Sequence, residues 1–73
     1  MQQREIKPGK QYRHFKGNVY MVMHLAHHSE SMEPLVVYQA MYGNCGIWVR
    51  PLAMFLEQVE VNSCMVNRFD EME

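Results

Sequence analysis

Aromatic and cationic residues are the side chains whose types and spacing point most directly to chemistry. Trp48 and Arg50 stand two positions apart, and Tyr38 and Tyr42 stand four apart in the preceding segment. Since side chains alternate between the two faces of a β-strand, each pair shares a face if its segment is a strand. Aromatic rings beside an arginine can stack on nucleic-acid bases or pack on a peptide. The pattern predicts a binding surface or, as the alternative, a core tryptophan with Arg50 held by an internal partner.

Signatures of catalysis are missing from the sequence. It contains no nucleophile elbow, no glycine-rich phosphate loop and no H-E-x-x-H motif. A small barrel also has a filled interior, with little room for a cleft in which an acid or a base could work. We therefore expect no catalytic residue and no cofactor. An enzyme acting through His28-Ser29-Glu30 or Cys45 is the less favoured alternative.

The histidines and cysteines do not predict a metal site. His24 and His28 point the same way on a strand but lie roughly 13 Å apart along it, which is too far to share one ion unless the strand bulges. His27 points to the opposite face. Cys45 and Cys64 form no C-x-x-C pair, and we expect both to be reduced thiols.

Length and composition favour one packed domain with no strong overall charge. The chain has 73 residues, is 48% hydrophobic and carries a net charge of −1, so no global field draws it to nucleic acid or membrane. No apolar run approaches the ~20 residues that span a bilayer. The polar first residues are unlike a secretory signal, and we expect a cytoplasmic protein without membrane contact. Residues 1–16 are basic and residues 57–73 acidic, which indicates ends that attract each other or are solvated, or else a basic edge that binds an anion.

Apolar residues alternate with a period of two rather than 3.6 along most of the chain. The pattern predicts six strand segments: 11–16, 19–27, 35–42, 47–50, 57–61 and 65–69. One helical turn is expected after Pro51, and the glycines of 17–18 and 43–46 predict turns. The predicted fold is mostly β, a small SH3-like barrel or roll of five to six short strands with one short helical turn. The expected divisions are a polar lead-in (1–8), the β domain (9–66) and a loose acidic tail (67–73).

Several short segments form a specific pattern when they are taken together in this order. They are Gly9-Lys10-Gln11-Tyr12-Arg13-His14-Phe15-Lys16-Gly17-Asn18-Val19-Tyr20, His28-Ser29-Glu30, Leu35-Val36-Val37-Tyr38, Tyr42-Gly43, Trp48-Val49-Arg50-Pro51 and Met54-Phe55. This pattern resembles a bacterial family catalogued as domain of unknown function 1653. The resemblance implies an SH3-type barrel or roll, found alone or attached to other domains. It implies no activity, ligand or catalytic residue.

If the recurring residues of that family mark a site, the positions to consider as ligand-binding are charged, aromatic or both. They are Arg13, His14, Lys16, Tyr20, His28, Glu30, Tyr38, Trp48 and Arg50. The function we predict is a non-enzymatic binding module with an aromatic and cationic surface, whose ligand is RNA, a peptide or a small anion. The alternative is an oligomerisation or accessory domain that forms a homo-oligomer. The exposure of Trp48 and Arg50 separates a binding surface from a core.

Overall fold

The structure, a computed structural model, describes residues 6–72. Its strands are β1 (Gln11–His14), β2 (Val19–His27), β3 (Pro34–Ala40), β4 (Ile47–Pro51), β5 (Gln58–Val61), β6 (Cys64–Asn67) and β7 (Phe69–Glu71). One helix, α1 (Leu52–Phe55), follows β4. The predicted mostly β fold with one short helical turn is confirmed. The described residues form seven strands rather than five to six, because the last predicted strand divides at Arg68 into β6 and β7. The SH3-like comparison stays a prediction.

The strands form one large antiparallel sheet and a separate hairpin. The large sheet has the order β4-β3-β2-β1-β7, and β5 pairs with β6. β2 lies in the middle of this sheet. A register shift between Val22 and His24 marks a bulge in this strand, and bulges bend a strand and increase its twist. The outer strands of the large sheet are β4 and β7.

One face of the large sheet, called here the inner face, carries the core. The buried cluster consists of Ile6, Tyr12, Val22, Val36, Tyr38, Phe55 and Phe69. Pro51 immediately precedes α1 with a φ of −55°, close to the value that its ring imposes. The short helix places Phe55 over the sheet, where its ring stacks on Phe69 with centroids 4.0 Å apart. The helix therefore covers the inner face with an aromatic side chain.

The structure differs from the expected loose acidic tail at residues 69–71. This segment forms β7 and pairs with β1, with Phe69 opposite His14 and Asp70 opposite Arg13. Phe69 is 1% exposed. One apolar residue among polar neighbours is thus enough to anchor a short strand. The pairing also brings the acidic end against basic β1, where Lys10 and Glu71 approach to 3.9 Å.

The N-terminal lead-in was predicted to be a polar extension. Residues 1–5 lie outside the described part of the chain. Ile6 departs from the prediction, because its side chain is buried in the core. The N–H of Gly9 donates to the carbonyl of Val22 at 2.8 Å, so the chain joins the sheet just before β1.

Both predicted glycine turns are present. Gly17 and Gly43 have φ values of 108° and 58°, a region that disfavours residues with a Cβ. Cys45 lies in the second turn, and both it and Cys64 are free and exposed. The second turn leads directly into β4 and so sets the position of Trp48 and Arg50.

Candidate functional site

Aromatic rings surround one arginine on the inner face of the sheet. The Arg50 Nε donates a hydrogen bond to the Tyr38 hydroxyl at 3.2 Å, and the guanidinium lies 5.7 Å from the centre of the Phe69 ring. Arg50 is partly exposed. Between residues 6 and 72, no carboxylate forms an ion pair with it. We call Arg50, Tyr38, Tyr20, Tyr42 and His14 the Arg50 cluster.

Two tyrosines of the cluster share a hydrogen bond. The hydroxyls of Tyr20 and Tyr42 are 2.7 Å apart, and the Tyr20 ring packs edge-on against Tyr38 with centroids 5.3 Å apart. Burial, followed by the hydrogen bond with Tyr42, raises the pKa of Tyr20 to about 12. At neutral pH this hydroxyl is therefore protonated and able to donate. Tyr42 is 46% exposed, which leaves one of its sides open to a ligand.

His14 reports the electrostatic potential at the cluster. Its ring packs against Phe69 with centroids 5.0 Å apart, and its Nδ1 accepts the backbone N–H of Lys16 at 3.2 Å. Burial, and then the positive charges of Arg50, Arg68 and Lys16, lower the pKa of His14 from its ordinary value of 6.5. Positively charged side chains therefore act on His14, although the whole chain carries a net charge of −1.

Trp48 lies at the margin of the inner face. It stands opposite Tyr38 on the neighbouring strand, and directly opposed residues share a face of the sheet. Its ring is 58% exposed and lies against Gly46, where a Cβ would come within 3.4 Å of the indole Nε1. Trp48 is therefore a surface residue, and the alternative of a core tryptophan is wrong. Arg50 does have an internal partner, the Tyr38 hydroxyl.

Comparison with known proteins identifies the family. The model of a family described as "Protein of unknown function (DUF1653)" matches residues 10–71. The chain belongs to this family. A crystal structure of a DUF1653 protein from Bordetella bronchiseptica is similar, with 34% sequence identity, a TM-score of 0.79, and coverage of 90% of this chain and 86% of that chain. No match is found among curated proteins. The resemblance inferred from the sequence segments is confirmed.

The DUF1653 fold brings together part of the predicted set. The predicted positions that share the inner face are His14, Tyr20, Tyr38, Trp48 and Arg50. Arg13 precedes His14 on β1, so it projects to the opposite face, where it is exposed. Lys16 lies in the turn after β1, with its ammonium 5.8 Å from the Phe15 ring centre, and its charge still reaches His14.

His28 and Glu30 lie elsewhere in this DUF1653 protein. They belong to the loop after β2, at the opposite end of that strand from Tyr20. The Nδ1 of His28 accepts the backbone N–H of Glu30 at 3.1 Å and that of Ser31 at 3.4 Å. His28 thus caps this loop. Turn geometry accounts for His28 without a ligand.

Two residues of the site were not among the predicted positions. Tyr42 had a usable signal, because its spacing from Tyr38 already suggested a shared side of the sheet. Phe69 ended the predicted strand 65–69, but it also fell within the predicted acidic tail, and no pattern placed it in the core. Its position beneath Arg50 comes from the pairing of β7 with β1.

The concave features of this DUF1653 domain lie beside the cluster. A groove of about 290 Å³ runs between β1 and the β5–β6 hairpin. Its lining residues are Arg13, His14, Phe15, Val61, Val66, Asn67 and Asp70. None of these carries a hydroxyl or thiol nucleophile, and the Asp70 carboxylate accepts a hydrogen bond from Asn67 at 2.8 Å. Of the Arg50 cluster, only His14 lines this groove, and the Arg50 side chain lies outside it.

Residues 6–72 contain neither a cluster of metal ligands nor a membrane-spanning helix. In this part of the DUF1653 chain, no three side chains of His, Cys, Asp or Glu come together in a way that could hold a metal ion. The same residues include no helix of the length and apolarity that a membrane span requires.

Proposed function

We propose that this protein is a non-enzymatic binding module that holds an anionic ligand on its inner face, at Arg50. The observation that carries this proposal is the bonding of Arg50 itself. A guanidinium has five N–H donors in a fixed plane, and the Tyr38 hydroxyl takes one of them. In the described part of the chain no carboxylate neutralises the charge. The remaining donors suit phosphate or carboxylate oxygens, which arginine binds in a bidentate manner.

The surroundings of Arg50 favour a ligand that is both charged and flat. Lys16 adds positive charge, as its effect on the pKa of His14 indicates, whereas the charge of Arg68 is paired with the Glu57 carboxylate at 2.8 Å. Trp48 and Tyr42 offer exposed rings beside this charge. Base–aromatic stacking contributes about 1–3 kcal/mol per base in single-stranded nucleic-acid complexes. Single-stranded RNA combines phosphates with flat bases, and we infer that it is the ligand class.

Titration of a short fluorescently labelled single-stranded RNA, followed by anisotropy, tests this proposal. If two phosphates of the RNA contact the protein, the affinity of the protein for the RNA should be about sevenfold lower at 200 mM than at 50 mM salt. Arg50→Gln should weaken binding about tenfold or more, because it removes charge-assisted hydrogen bonds. Arg13→Gln is the matched control, since it removes the same charge from the opposite face. Its affinity should stay within about twofold of the wild type.

Three outcomes would contradict parts of this proposal. Equal losses in Arg50→Gln and Arg13→Gln would show diffuse attraction to the charge rather than a site. An affinity that ignores salt would exclude phosphate contacts as the main source of binding. If RNA fails to bind while inorganic phosphate shifts the NMR signals of His14, the ligand is a small anion and the RNA assignment is wrong.

A further inference from the structure

The two edges of the large sheet differ in length and in chemistry. At one edge β7 is short and carries Asp70 and Glu71, and charges of this kind discourage pairing with other strands. At the other edge β4 begins with Ile47, Trp48 and Val49, which are 57%, 58% and 57% exposed. Within residues 6–72, no strand pairs with the outer side of β4. An apolar edge of this type is open to the addition of another strand.

The hydrogen bonds around β3 show which groups of β4 point outward. Ala40 N–H donates to the Gly46 carbonyl at 2.9 Å, and Met41 N–H donates to Val19 at 3.0 Å. In an antiparallel ladder, successive residues alternate between bonding to one neighbour and to the other. Because Gly46 bonds to β3, the backbone N–H and C=O of Trp48, two residues further along, also point towards β3. The backbone groups of Ile47 and Val49 then point away from the sheet.

We propose that β4 pairs antiparallel with β4 of a second copy of this chain, about a two-fold axis that passes beside Trp48. In this register Ile47 of each copy faces Val49 of the other. Each of these pairs exchanges both of its backbone hydrogen bonds, so every outward group of Ile47 and Val49 is satisfied. A register centred on Val49 would instead place the Ile47 carbonyl opposite Pro51, which has no N–H to donate.

The side chains around the axis are also self-complementary. Trp48 faces Trp48 of the second copy, which forms an aromatic cross-strand pair. On the other face of the sheet, Ile47 meets Val49. Arg50 faces Gly46, so the two arginines do not oppose each other. These matches identify a second copy as the occupant of the edge, and the inference does not depend on the proposed ligand.

Sedimentation equilibrium under reducing conditions tests the interface. The wild type should have a mass of about twice the 8.7 kDa chain at high concentration and dissociate on dilution. Val49→Lys should weaken the dimer at least tenfold, because it places two cations in the joint sheet. Met65→Lys is the matched control, since Met65 is 60% exposed but lies on β6. It should leave the dimer unchanged, and circular dichroism checks that both variants are folded.

Cysteine cross-linking tests the register in a chain that carries Cys45→Ser and Cys64→Ser. Trp48→Cys should form an intermolecular disulfide on mild oxidation. Position 48 faces itself in a non-hydrogen-bonded pair, whose Cα atoms lie about 4.5 Å apart, and disulfides span about 4.4–6.8 Å. Val49→Cys should not form this disulfide, because Val49 faces Ile47. The proposal is overturned by a wild type that stays monomeric at millimolar concentration, by a dimer that survives Val49→Lys, by dissociation in Met65→Lys, or by cross-linking at position 49 alone.

Discussion

Phe69 links the end of the chain to both the core and the candidate site, and Phe69→Ala is the most demanding test of this structure. The side chain is 1% exposed. Its ring stacks on Phe55 with an interplanar angle of 2° and lies beneath Arg50. Truncation of a buried phenylalanine to alanine costs about 3–5 kcal/mol. Native domains have about 5–15 kcal/mol in total, so the variant should lose a large part of its free energy of unfolding.

Urea unfolding followed by far-UV circular dichroism measures this loss. In thermal unfolding, 1 kcal/mol corresponds to about 4–8 °C for a domain of this size. A loss of about 3 kcal/mol should therefore lower the melting temperature by at least about 12 °C. Glu71→Gln is the matched control, because it lies on the same strand and removes only an exposed ion pair of about 0–1 kcal/mol. If Phe69→Ala unfolds within about 1 kcal/mol of the wild type, β7 does not pack as described and the reasoning fails.

Three other perturbations have definite expected results. Because the pKa of His14 is lowered in the native state, the unfolded state binds more protons, and the free energy of unfolding should fall as pH drops through 6.5. In urea unfolding, His14→Gln should flatten this part of the pH profile. An unchanged slope in the variant would contradict this role of His14. Burial, and then the hydrogen bond with Tyr42, raises the pKa of Tyr20 from its ordinary 10.0 to about 12, so stability should fall as pH rises through that window. Tyr42→Phe should lower the pKa of Tyr20 in an ultraviolet absorbance titration. Gly17→Ala should lower the free energy of unfolding by about 1–3 kcal/mol in thermal unfolding. Gly17 has a φ of 108°, which strains a residue with a Cβ even though the space around it is open. A loss of less than about 0.5 kcal/mol would show that this backbone strain is absent.

Local patterns in the sequence predicted most of the secondary structure. The period of two located β2 with the same bounds that the structure has, 19–27. The helical turn after Pro51 and the glycine turns were also correct, because these residues act through their own backbone torsions. The family resemblance, which depends on short segments in a fixed order, was confirmed by the match over residues 10–71.

The candidate site was only partly predictable. Alternation placed Trp48 and Arg50 on one face, but it did not say whether that face was covered. Ile47, Trp48 and Val49 are all exposed, because β4 is an outer strand with one neighbour. The order of strands in a sheet is a property of the whole fold, and no local pattern encodes it.

Local sequence patterns located most of the strands, the turns and the helix, since backbone preferences and side-chain alternation act over a few neighbouring residues. The burial of Phe69 in the core, the position of Arg50 above it and the role of His28 as a loop cap far from both became visible in the folded structure alone. Burial and electrostatic potential arise from contacts between segments that are distant along the chain, such as Phe55 with Phe69. Those contacts exist only after the sheet and the helix have packed together.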